Sequence, residues 1–170
     1  MATRFTSFAQ IGQRISQMSA EFQEEVKGIV EYNTGEIEIK AKAAAPTGGS
    51  RIRTIDGSIS ANQIAEKRLG SVGGNIAGAI TYHVDSTGFI GTVVLDKSAG
   101  DLAIYVEVGT GQDAASYLAG LPPEWRAMAI RFFVNGKGRI IHQPYMYPAF
   151  MSQKLQFVKE LKAALKALKL

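Results

Sequence analysis

The stretch Glu107-Val108-Gly109-Thr110-Gly111 sets an acid beside two glycines at the end of the apolar run LAIYVEVG. Glycines in such a run let a backbone approach a phosphate closely, so the segment could open a loop for a dinucleotide or a methyl donor. That chemistry needs more: a third small residue, a helix after the loop, and an acid about 20 positions on at the tip of a second parallel strand. Ala114 could be the small residue, but position 131 is Arg131, and Asp113 stands where a methyl-donor loop commonly has a further glycine. The strands ahead of the motif are joined by short connections, which leaves Gly111 outside any first βαβ unit. A structural turn is therefore the stronger reading of Gly109, Thr110 and Gly111 than a nucleotide- or S-adenosylmethionine-binding enzyme.

The other chemistry-bearing residues are sparser. GSVGGNIAG lacks the Lys-Ser/Thr ending of a phosphate loop and reads as a linker or arm. His83 and Asp85 alternate onto one strand face. A hydrolase would add a placed nucleophile, and a metal site more ligands, while His142 lies on another predicted strand. Glu36 and Glu38 read as a solvated acidic pair. Lys154, Lys159, Lys162, Lys166 and Lys169 crowd the last helix and could meet phosphate, an acidic partner or a membrane surface, or simply solubilise an outer face. With Arg51 and Arg53 they also allow a DNA-binding reading, weakened because no aromatic residues interleave with the lysines. The residues thus assemble no catalytic set, metal site or cofactor site.

Composition narrows the class. Hydrophobic residues make up 46% and charged residues 20% of 170 positions, as in an ordinary soluble domain. The absence of cysteine excludes disulfides, thiolate metal sites and cysteine nucleophiles. A net charge of +4 is too small to imply nucleic-acid binding on its own. Residues 1–20 lack the apolar core of a signal peptide and no run is long enough to span a membrane, so the expectation is a soluble protein with no membrane partner, made in a cytoplasm.

These residues must be positioned by a small number of elements. Phe5, Phe8, Ile11, Ile15, Met18, Phe22, Val26 and Ile29 recur at helical spacing over 4–30, with Asn33-Thr34-Gly35 expected to end or kink the helix. EIEIKAKAAA reads as further helix up to Pro46. Residues 46–75 read as a basic, Gly-rich and flexible loop carrying Arg51 and Arg53. GAITYHVDST, GFIGTVVLD and LAIYVEVG read as strands, with Ile80, Tyr82 and Val84 on one face of the first and Leu102, Ile104, Val106 and Val108 on one face of the last. Residues 112–127 look like an insertion loop, and AMAIRFFVNGKGRIIHQ like a hairpin turning at Asn135-Gly136. Pro148 suits the first turn of a last helix whose inner face is Phe150, Val158, Leu161, Leu165 and Leu168. The sum is a single α+β domain over 1–170: an antiparallel sheet packed by a long N-terminal helix and a C-terminal helix.

Four segments in order resemble the tail-completion, or tail-component, family of long-tailed bacteriophages. They are the Ala/Lys-rich helix end and proline of AKAAAPTGG, the element TGGSRIRTI, the Glu-x-Gly-Thr-Gly of YVEVGTG, and QPYMYPAF opening the last helix. Val108 stands where the family has an aromatic residue, and Tyr145-Met146 where it has Phe-Leu. The resemblance implies a structural virion protein rather than an enzyme, without cofactor. It would be assembled in the host cytoplasm into a homo-oligomeric ring, sixfold to match the tail, in the neck or at the tail top. Its neighbours would be head-completion or connector proteins and a tail terminator or tail tube protein. Genomic double-stranded DNA would pass through without tight binding. A tail terminator or head-closure (stopper) ring is the neighbouring alternative. On this reading Arg51, Arg53, Glu107, Gly109, Thr110, Gly111, Tyr145 and Pro148 are candidate interface or turn residues, Glu107 pairing with Arg51 or Arg53 of another subunit. Lys154, Lys159, Lys162, Lys166 and Lys169 are a candidate basic face.

Overall fold

The computed structural model describes residues 18–46, 51–54, 57–60, 76–96, 102–110, 112–130 and 140–167. The expectations for residues 4–17, for 61–75, for the Asn135-Gly136 turn, and for Gly111, Leu168 and Lys169 lie outside these.

Helix α1 runs Ala20–Ala44, capped by Ser19, whose hydroxyl accepts from the Phe22 N–H at 3.4 Å. It does not end at Asn33-Thr34-Gly35. The physical reason is back-bonding: Asn33 Nδ2 donates to the Ile29 carbonyl at 2.8 Å and Thr34 Oγ1 to the Val30 carbonyl at 2.6 Å. The polar groups that would favour a turn are thereby satisfied inside the helix. The helix stops at Ala45, just before Pro46, as the sequence indicates.

Strands β1 (Arg51–Thr54) and β2 (Gly57–Ser60) then pair antiparallel, with Arg51 opposite Ser60 and Arg53 opposite Ser58. A hairpin thus occupies part of the segment expected to be a flexible loop. After a single helical turn, α2 (Ile76–Ala79), strands β3 (Ile80–Val84) and β4 (Gly91–Leu95) form a second antiparallel pair. The first two expected strands are present, but the burial of β3 alternates only in part: Tyr82, expected on the face of Ile80 and Val84, is 38% exposed. Ile80 is buried and Val84 packs with the core of α1, while Thr81 and His83 face outward. Asp85 fastens the β3–β4 turn, accepting from Thr87 Oγ1 at 2.7 Å and from the Ile90 N–H at 3.1 Å. The Thr87 hydroxyl is the main cause holding its carboxyl below the ordinary range, although burial opposes it.

The expected strand at 102–109 is instead helix α3 (Leu102–Val108). Alternating apolar residues fit a strand, but a short apolar run buried on most sides carries no usable period. Ala103 and Val106 are wholly enclosed and Glu107 and Val108 nearly so. The expected insertion loop at 112–127 is two helices, α4 (Gln112–Ala119) and α5 (Pro123–Ile130), the second replacing the start of the expected hairpin. The last helix, α6 (Met146–Ala167), holds Pro148 in its first turn, as expected.

The fold class is α+β. Helix α1 lies on the β3–β4 hairpin, and α6 runs antiparallel along α1. Phe22, Val26 and Val30 meet Ala164 at one end, and Lys40 bonds to Gln153 nearer the other. The inner face of α6 is only in part the one its large apolar residues suggest: Leu161 packs against the core of α1 as expected, with Phe157 beside it. Ala149, Gln153 and Ala164 are buried, while Phe150, Val158 and Leu165 are exposed. Small and amide-bearing residues share the inward side with Phe157 and Leu161 because α1 approaches there and supplies Asn33 as a polar partner. Asn33 Nδ2 donates to Glu160 at 2.6 Å, and Gln153 Nε2 donates to Asn33 Oδ1 at 2.8 Å. A separate core of Ile76, Ile80, Ala103, Val106 and Tyr145 joins the hairpin, α3 and the start of α6.

Candidate functional site

The Glu-x-Gly-Thr-Gly motif lies where α3 ends. Gly109 has φ +77° and donates its N–H to the Tyr105 carbonyl at 2.9 Å, closing the helix with a left-handed residue. Thr110 then forms a two-way pair with Ile140. Its N–H donates to the Ile140 carbonyl at 2.9 Å, and its Oγ1 accepts from the Ile140 N–H at 2.9 Å.

One turn earlier, Glu107 points its carboxylate at the start of α6. One oxygen accepts from the N–H groups of Tyr145 (2.7 Å) and Met146 (2.9 Å), and the other from that of Tyr147 (3.0 Å). A helix leaves its first N–H groups without intrahelical partners, and its N-terminus favours negative charge. The residue before α6 is Tyr145, which has no short acceptor to cap its own helix. Glu107 supplies the cap from another helix.

Two more bonds fasten the same strip of chain to α3. Gln143 N–H donates to the Val106 carbonyl at 2.7 Å, and the Tyr145 hydroxyl to the Ala103 carbonyl at 2.9 Å. Tyr145 is fully enclosed, and burial, with a smaller contribution from the charge of Glu107, pushes its phenol well above the usual range. The YVEVGTG and QPYMYPAF segments, remote in sequence, therefore form one joint.

The electrostatics of Glu107 are a contest. Burial pushes its carboxyl above the ordinary glutamate value, and the three N–H groups act against that rise. With 7% of its surface exposed and both oxygens engaged by its own chain, Glu107 is not presented to Arg51 or Arg53 of a neighbour. The structure places Gly109, Thr110 and Tyr145 in the interior as well. Pro148 is exposed on the first turn of α6. Arg51 and Arg53 sit on β1, two residues apart, at some remove in sequence from all of these.

Beside the joint is a cavity of about 690 Å³, its wall made by Ile37, Val93, Ile104, Trp125 and Phe150 with Glu107 at one side. Trp125 sets its edge against Tyr147, with ring centroids 5.0 Å apart. The lining is apolar. Its one carboxylate already serves the α6 N-terminus, which leaves it poorly suited to hold a nucleotide. The glycine loop also follows a helix, whereas a dinucleotide site needs a strand there.

The remaining candidates stay apart. His83 is exposed on β3 while Asp85 is committed to its turn, and His142 stacks on Tyr117 with centroids 4.5 Å apart. Glu38 pairs with Lys42 at 2.6 Å. Among the described residues no group of three His, Asp or Glu side chains is placed to hold a metal ion, and no helix is long and apolar enough to cross a membrane. Lys154, Lys159, Lys162 and Lys166 are exposed on α6, forming the expected basic face.

Sequence reasoning missed the polar seam between α1 and α6, formed by the buried Asn33 and Gln153 with the half-buried Glu160. The signal was available for Asn33, which lies three and seven residues after Val30 and Val26 on the inner stripe of its helix. Comparison with family models, with curated proteins and with solved structures finds no match for this chain.

Proposed function

We propose that this protein is a structural subunit of a tailed bacteriophage particle: a tail-completion or head–tail joining protein that forms a ring around the DNA channel in the neck or at the tail top. The observation that carries this reading is the capping of α6 by Glu107. Two of the short motifs that resemble the tail-completion family are parts of one joint, which gives each a reason to be present that involves no substrate. The acid caps the helix, Gly109 permits the turn, Thr110 clamps Ile140, and Tyr145 anchors the start of α6 to α3.

Such a joint suits an assembly role. A ring closes only if each subunit holds its interfaces at a set angle, and that requires rigid placement of the elements that carry them. Glu107 fixes α6 relative to α3, and the Asn33–Gln153–Glu160 bonds fix α6 along α1. Helix α6 is thereby held stiffly with a basic outer surface. DNA would slide past such a ring, so tight duplex binding is not required of it.

The test is genetic and structural. Suppressing the gene in its phage should yield filled heads and separate tails that fail to join, or tails with a defective top. Fully infectious particles lacking the chain would overturn the proposal.

A further inference from the structure

We propose that the outer face of α6 docks against the outer face of α1 in a second copy of this chain, making a head-to-tail contact. This deepens the ring proposal above and rests on it.

The α6 surface is amphipathic in an unusual sense: it carries apolar residues on its solvent side. Leu155 is 77% exposed, and Met151, Val158 and Leu165 are each more than a third exposed. Lys154, Lys159, Lys162 and Lys166 surround Leu155 and Val158 along a shallow groove, and among the described residues none of the four has an ion-pair partner. The only acid of this helix, Glu160, points inward to Asn33. An apolar strip ringed by unpaired cations asks for an occupant that is apolar along its middle and acidic at its flanks.

The same chain carries such a surface. On α1, Tyr32 (58%) and Ile39 (59%) are exposed on the side away from the core. Glu25 and Glu31 are exposed within two turns of Tyr32 on its N-terminal side, with Glu21 a further turn on, and all three are unpaired among the described residues. The two helices are of similar length, 25 and 22 residues, so the faces can run alongside each other. Within one copy α1 and α6 pack through their inward faces, so their outer faces point apart and cannot meet. Two copies of the α6 face cannot pair with each other either, because lysine would oppose lysine. The favourable pairing is α6 of one copy with α1 of the next. It uses different surfaces on the two sides, so it leaves a free α1 face and a free α6 face at the ends and propagates into a ring or a filament.

The test is a charge exchange in the full-length chain, read by sedimentation velocity. One variant reverses the α6 face, K159E/K162E. The other reverses the α1 face, E25K/E31K, leaving Glu21 in the first helical turn untouched. All four positions are exposed, and circular dichroism checks that both variants fold. The wild type should self-associate, more weakly as salt rises, and each variant alone should associate about tenfold or more weakly. An equimolar mixture should recover association. Reversed α6 then meets reversed α1, and the unaltered faces of the two variants meet each other, giving alternating assemblies.

Variants that associate like the wild type, a mixture that stays dissociated, or a wild type that stays monomeric at every concentration would each overturn the contact. So would binding to anionic vesicles or duplex DNA that K159E/K162E abolishes without changing self-association, which would assign the α6 face to that ligand. These outcomes are separate from the fate of the virion proposal. Assembly through other faces leaves that proposal standing, and infectious particles without the chain sink it even if the copies associate.

Discussion

The carboxylate of Glu107 accepts a hydrogen bond from the backbone N–H of Tyr145 at 2.7 Å, across 38 positions of sequence. With the bonds from Met146 and Tyr147, it makes α3 the N-terminal cap of α6. The start of α6 is thus tied to α3 by a side chain in a glycine-flanked motif, beside the Gln143–Val106 and Tyr145–Ala103 bonds.

Replacing Glu107 by Ala should therefore loosen the start of α6. Three N–H groups would lose their acceptor in a buried place, and the expected loss of stability is about 2–4 kcal/mol. Chemical denaturation followed by circular dichroism measures it. A loss below about 0.5 kcal/mol, the size expected for an ordinary surface substitution, would show that the cap contributes little.

The pH dependence of that contribution has a definite direction. Burial raises the Glu107 carboxyl above its unfolded value. Its contribution is therefore fully present below the unfolded pKa and declines as pH rises through the folded one. Glu107→Gln does not titrate, so the stability advantage of the wild type over this variant should shrink as pH rises from about 4 to 8, spanning the ordinary glutamate range and above. An advantage that grows over that range would mean that the three N–H groups outweigh burial.

Gly91 opens β4 directly against Thr34 of α1. A Cβ built on it would lie 1.8 Å from Thr34 Oγ1 and 2.9 Å from Thr34 Cβ. Gly91→Ala should cost about 1–3 kcal/mol by overpacking. Thr34→Ala in the same chain should restore part of this, because the nearest atom is removed. Additive losses in the double variant would mean that the strain is relieved elsewhere.

The polar seam between α1 and α6 predicts an asymmetry. Asn33→Leu alone takes one partner from Gln153 and one from Glu160, which keep Lys40 and Gln156 respectively, and should destabilise by about 1–2 kcal/mol. Asn33→Leu with Gln153→Met, Glu160→Leu and Lys40→Met removes the seam together, the Lys40 amine that bonds to Gln153 included, and should cost less than the single change, since an apolar seam needs no partners. A combined variant less stable than the single one would contradict this.

Legibility from sequence varied with how local each cause is. The β3–β4 pair is readable because its segments are rich in β-branched and aromatic residues with Ile80 and Val84 set inward, and Pro46 marks the end of α1 by backbone sterics alone. Helix α3 is not readable as helix, since Val106 and Val108 are enclosed whether the segment is strand or helix and only tertiary packing decides. Asn33-Thr34 reads as a helix end because its back-bonds to Ile29 and Val30 exist only once the helix has formed. At the site, the turn at Gly109 follows from its residue type. The target of Glu107 does not, because the N–H groups of residues 145–147 become acceptor-seeking only when a helix begins there. The inner face of α6 keeps Leu161 but not Phe150, Val158 or Leu165 for a related reason: its partner on α1 is an asparagine, which favours Gln153 over a larger apolar residue.

The central proposal, a ring subunit at the head–tail joint, is tested most directly by searching purified tailed phage particles from the source of this chain for it and imaging them by cryo-electron microscopy. The account predicts a ring of density between the connector and the tail tube into which the fold fits, with α6 of each subunit lying against α1 of the next. A neck fully accounted for by other chains, with this protein absent from the purified infectious particle, would contradict it.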